Sequence, residues 1–141
     1  MPKKELKQAL VKSARAMYGN LPILLGVILI ISLANVIIPK AIYASFFRGN
    51  PFFDSFIGST IGSILAGNPI TSYIIGGEML NQGISLLAVT SFLVAWVTVG
   101  LVQLPTEAML LGKKFAIIRN ITAFLFAMIV AVITVVIMGA L

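Results

Sequence analysis

Two stretches of this chain, Ser85 to Leu104 and Ile121 to Leu141, run for 20 and 21 residues without one charged side chain. A helix of that length covers about 30 Å, the thickness of a bilayer's hydrocarbon core. Lipid offers no partner to a bare amide, so only helices and closed barrels span it. Barrel strands alternate apolar and polar residues, whereas these runs are continuous. The fold class they predict is an all-α integral membrane protein. Composition points the same way: 60% of residues are hydrophobic and 10% charged, where a soluble domain carries about 25% charged residues.

A third span is expected from Leu21 to Ile38, with Asn20 as its cap, Pro22 in its first turn and Pro39 beyond its end. Residues 1–19 precede it as the only polar block. Leu6, Leu10, Ala14 and Met17 recur at helical spacing while Lys3, Lys4, Lys7, Lys12 and Arg15 fall largely elsewhere. This predicts a basic amphipathic helix lying on membrane lipid. A signal-peptide reading of Ser32-Leu33-Ala34 is disfavoured because the apolar run continues to Ile38. Residues 40–54 read as an interfacial loop with an aromatic belt of Tyr43, Phe46, Phe47, Phe52 and Phe53. Pro105-Thr106-Glu107 opens a short helix ending near Lys113, Lys114 and Arg119, and Asn120 is the expected cap of the last span.

Segment 55–83 breaks the pattern. Ser55, Gly58, Ser59, Gly62, Ser63 and Ala66 place small residues along one helix side, and Gly58 with Gly62 forms a GxxxG packing face. Gly67-Asn68-Pro69 then interrupts the helix: a C-terminal glycine, an N-cap, and a proline at the first position of a new helix. If 55–83 is a broken or re-entrant hairpin, the chain has three full transmembrane helices over about 21–38, 85–104 and 121–141. Eight of the ten basic residues then share one side, against five and five for a full crossing. The positive-inside rule favours the hairpin, with a cytoplasmic N-terminus in a multi-pass cell-membrane protein.

The chain has no Cys and no His, which excludes disulfides and the usual zinc and copper sites, so no cofactor and no metal are expected. Four carboxylates without a histidine leave little for acid–base catalysis, so an enzyme is not expected. The net charge of +6 lies beside hydrophobic spans, which reads as a topology signal and attraction to anionic lipid and not as nucleic-acid binding. No nucleotide-binding loop is present, so active transport would need an ion gradient or a separate ATPase. Backbone left irregular at membrane depth is tolerated where it lines a cavity, and broken helices of this kind build transporter sites.

The run Ala66-Gly67-Asn68-Pro69-Ile70-Thr71-Ser72-Tyr73-Ile74-Ile75-Gly76-Gly77-Glu78 resembles the broad predicted-permease family that includes organoarsenical efflux permeases. So do Ala95-Trp96-Val97-Thr98-Val99-Gly100, Gln103-Leu104-Pro105-Thr106-Glu107 and the stretch from Gly112 to Asn120. The resemblance covers roughly 55–141 and implies a half-size permease, with residues 20–141 as the permease half-unit. It implies a solute pathway along Gly67, Asn68, Pro69, Thr71, Ser72, Tyr73 and Thr98. Glu78 is then a candidate ion or proton carrier, with Gln103 and Glu107 near the cytoplasmic mouth. The cargo would be a small solute or ion. Arsenical specificity does not follow, since soft ligands here reduce to six Met. Three spans and a hairpin enclose too little volume for a gated path, so a homo-oligomer or a paired half-size chain is expected. One candidate assembly is a parallel homodimer through Gly58 and Gly62. A non-transporting scaffold subunit and a small ion channel are the alternatives.

Overall fold

The computed structural model describes residues 3–37, 45–47, 49–65 and 68–140. It divides into two units, 1–37 and 38–141. The first is one helix, α1 (Lys3–Ile37), with Pro22 inside it. The expected boundary at Asn20 is therefore absent: the basic segment and the apolar segment are one rod of 35 residues, about 52 Å long. A proline removes one ladder bond, and here the helix carries on through it.

Among the described residues the second unit holds α2 (Pro51–Ile64), α3 (Pro69–Asn81), α4 (Leu86–Thr98), α5 (Leu104–Leu111) and α6 (Lys113–Ala140). The starts of α2, α3 and α4 are capped locally. Asn50 Oδ1 accepts from Phe52 N at 3.1 Å, Asn68 Oδ1 from Ile70 N at 2.9 Å, and Ser85 Oγ from Ala88 N at 3.3 Å. Each satisfies an amide that a helix start leaves bare. Because Asn50 caps and Pro51 opens α2, Asp54 stands in a helical first turn and is buried, not in the interfacial loop expected over 40–54.

The core forms where α2 lies against α4. A Cβ on Gly58 would come within 2.2 Å of the Ala88 carbonyl oxygen, and one on Gly62 within 2.3 Å of that of Phe92. The pairings ascend together, so the two helices run in the same direction. Ser55 and Ser91 share a buried hydroxyl–hydroxyl bond of 2.6 Å. Gly76 of α3 meets Val89 and Leu93, and α3 returns to α4 through a tight turn, so α3 runs opposite to both. In that turn Gly83 has φ +85°, its N–H reaches the Leu80 carbonyl at 2.9 Å, and Ile84 N–H reaches that of Met79 at 3.0 Å. These two bonds make a Schellman cap, with Met79 and Ile84 packed in one apolar cluster with Ala88, Val89, Phe92 and Trp96. The α2–α3 segment thus begins and ends at one end of the bundle.

Helix α6 packs alongside through small residues. Ala127 meets Ala95 and Val99, and Phe124 meets Phe56 edge to face at 5.5 Å. The 27 residues from Lys113 to Gly139 make a helix long and apolar enough to cross a membrane by length and composition. It is the sole such helix among the described residues, where three were expected. The run 85–104 yields a helix of 13 residues, about 20 Å long against about 30 Å of hydrocarbon. Side chains end it. Asn120 Oδ1 takes the Gly100 N–H at 2.9 Å and Arg119 donates to the Thr98 carbonyl at 3.1 Å, replacing the bonds that a further turn would make. Asn120 consequently does not cap the last helix. That helix begins at Lys113, after Gly112 at φ +90° has ended α5.

Candidate functional site

Four chain segments meet at one end of the second unit: the last residues of α2, the start of α3, the segment after α4, and the second turn of α6. Between them lies a cavity of about 150 Å³ whose wall includes Ser63, Pro69, Trp96, Gly100, Gln103 and Arg119. Residues with polar side-chain groups on this wall are Ser63, Gln103, Arg119 and, through its indole N–H, Trp96.

Arg119 is held from two sides. It donates through Nη1 to Glu107 Oε1 in an ion pair, and through Nη2 to the Thr98 carbonyl. The Glu107 side chain is 18% exposed and that of Arg119 is 35%, so the pair is partly screened by solvent. Asn120, buried, completes the knot. Its Nδ2 donates to Glu107 Oε2 at 3.2 Å and to the Ala116 carbonyl at 2.9 Å, while its Oδ1 accepts from Gly100. One carboxylate, one guanidinium and one amide thereby tie α5, α6 and the end of α4 together.

The residues expected to form a pathway are only partly gathered here. Pro69 and Gln103 line the cavity, and Thr98 and Glu107 reach it through Arg119. Gly67 lies outside the described residues. Asn68 is a cap, with its side chain accepting from Ile70 N and its carbonyl from Thr71 N at 2.9 Å. With Pro69 lacking an N–H, the start of α3 offers none of its first amides to a ligand. Ser72 is buried and donates to the Pro69 carbonyl at 2.7 Å; Thr71 is buried beside it. Tyr73 is 65% exposed. Glu78 sits nine residues along α3 from Pro69, accepting from Gln82 Nε2 at 2.8 Å, and is not part of this cavity. Gly58 and Gly62 pack against α4 and are thereby closed to a second copy.

Arg119 and Asn120 were not among the expected site residues. In the sequence they stand where a topology charge and a helix cap are the simplest readings, and their partners lie 12 to 21 residues away. The buried Asp54 was missed too; the one available signal was Asn50-Pro51, which marks a helix start. No protein-family model, curated protein or solved structure matches this chain.

Proposed function

We propose that this chain is a half-size membrane permease that moves a small solute or ion across the cytoplasmic membrane as part of an oligomer. The observation that carries the reading is the meeting of interrupted helices at a polar-tipped cavity. Helices α2, α3 and α4 all stop or start there, each only 13 or 14 residues long, so their ends would fall within the depth of a bilayer. Such ends persist at depth when they border protein or a wet cavity. The α2–α3 hairpin, which enters and returns at one end, supports a re-entrant segment flanked by three crossings, the middle one made of α4 and the residues after it. The clustering of eight basic residues supports a cytoplasmic N-terminus. The sequence resemblance to permeases is consistent with this reading and assigns no solute.

The test is flux in liposomes reconstituted with the full chain, using a panel of small anions, cations and neutral solutes. Saturable flux is expected, and Gln103→Trp, which fills the cavity from an exposed position, is expected to suppress it with helix content unchanged. Linear, voltage-driven flux would indicate a channel. Flux no greater than that of empty liposomes, with protein correctly inserted, would leave the scaffold reading in its place.

A further inference from the structure

We propose that the cavity beside Arg119 binds a small oxyanion, a carboxylate or sulfate-like group, and that Glu107 is a tethered anion which the ligand displaces. The proposal rests on the permease reading only in taking this cavity as the solute site. Among the described residues Arg119 is the sole charged side chain on the cavity wall, and Glu107 is not part of that wall. The one charge on that wall is therefore cationic, and its carboxylate partner is that of Glu107, a residue outside the wall. Guanidinium presents five N–H donors in a planar fork that suits two oxygens of one anion. Two bonds, to Glu107 and to the Thr98 carbonyl, are already made. Gln103 adds an amide on the same wall. About 150 Å³ is room for a ligand of roughly six heavy atoms.

The resident ion pair decides the mode of binding. While Glu107 holds Nη1, the charge of Arg119 is neutralised, and an incoming anion gains little unless it takes Glu107's place. After that exchange Glu107 keeps Asn120 Nδ2 as its partner. The link lost is the one from α5 to the guanidinium on α6. Ligand binding and loosening of α5 are thus coupled through one shared donor, and the coupling works in both directions.

The chain supplies its own reporter, because Trp96 is the only tryptophan and lines the cavity. The full chain in phosphatidylcholine nanodiscs is titrated with sodium acetate and with sodium sulfate at constant ionic strength, following Trp96 emission. Glu107→Gln keeps the shape and one acceptor oxygen, enough for Arg119 or Asn120 but not both, while removing the competing charge. It is expected to tighten the apparent Kd about tenfold or more relative to wild type. Glu107→Ala is expected to do the same, and serves if the glutamine variant is misfolded by circular dichroism. Arg119→Gln is expected to abolish the response. A folded Glu107 variant that binds no more tightly than wild type, or shows no saturable change, would overturn the proposal. So would equal binding by Arg119→Gln. The titration is repeated in discs containing phosphatidylglycerol. Loss of all acetate and sulfate binding there would mean that a lipid phosphate is the occupant, overturning the assignment to a soluble anion. Anion binding without liposome flux would leave this site standing and remove the permease reading, and flux without anion binding would do the reverse.

Discussion

Gly58→Ala and Gly77→Ala are the same substitution in two helices of one bundle, and their effects should have opposite signs. Both positions are helical, so each gains about 1 kcal/mol of helix propensity. At Gly77 nothing lies within 4 Å of the added Cβ, and that gain should stand. At Gly58 the Cβ would sit 2.2 Å from the Ala88 carbonyl oxygen and 3.0 Å from its carbon, where ordinary contact begins at 3.4 Å. The obstacle is backbone and cannot turn aside, so α2 and α4 must separate by about 1.2 Å, the difference between 3.4 and 2.2. A radial gap of 0.5–1 Å already forfeits roughly a quarter to a half of a dispersion contact. The 2.6 Å bond between Ser55 and Ser91 spans the same seam and would stretch beyond bonding, a loss of about 1 kcal/mol. With overpacking of about 1–3 kcal/mol set against the propensity gain, Gly58→Ala should destabilise by about 2 kcal/mol and Gly77→Ala should stabilise by about 1. Reversible unfolding in mixed micelles, followed by Trp96 emission and by circular dichroism, measures both. A Gly58→Ala protein as stable as Gly77→Ala would refute the close approach of α2 to α4.

Asn68→Ala should lower stability in the same assay by about 1 kcal/mol through loss of the α3 cap, and Asn68→Asp should retain most of it; equal stability of all three would remove the capping role. Asn120→Leu strips the Gly100 N–H and one Glu107 oxygen of their partner at once and should cost about 3 kcal/mol, a larger loss than any other single change at this knot. For topology, cysteines at Lys4 and Lys114 should be shielded from an impermeant thiol reagent applied outside whole cells, and one at Arg48 should react. Labelling of Lys114→Cys with Lys4→Cys shielded would refute the three-crossing arrangement.

What could be read from the sequence was what is decided locally. A cap and a proline act within three residues of themselves, so Asn68-Pro69 announces a helix start whatever surrounds it. Gly58 and Gly62 likewise mark a helix side on which another backbone can approach closely, because small residues one turn apart leave room for it. The choice of partner is not local. These glycines suit a second copy as well as α4, and only the fold selects α4. The end of α4 was invisible for a related reason. Nothing in Val97-Thr98-Val99-Gly100 stops a helix in lipid, and the chain leaves helical geometry because Asn120 and Arg119, about 20 residues on, supply the missing bonds. Asn120 read as a cap because asparagine before an apolar run usually is one. Here the helix begins seven residues earlier, at Lys113, behind a glycine with positive φ.

The same packing constrains how a larger assembly could form. With α4 filling the Gly58–Gly62 face, a second copy or a paired half cannot use that face without dismantling the α2–α4 seam. The short helices set the other condition. At 13 or 14 residues, α2, α3 and α4 reach about 20 Å, and in a bilayer of about 30 Å the backbone at their ends needs protein around it. At the end of α4 this chain provides part of that partnering itself, through the Glu107–Arg119–Asn120 knot. That knot is also what an anion on Arg119 would loosen, so an intact knot and an occupied cavity oppose each other. A partner that docked on α5 would bias the exchange toward the closed pair, and one that drew α5 away would favour the bound anion.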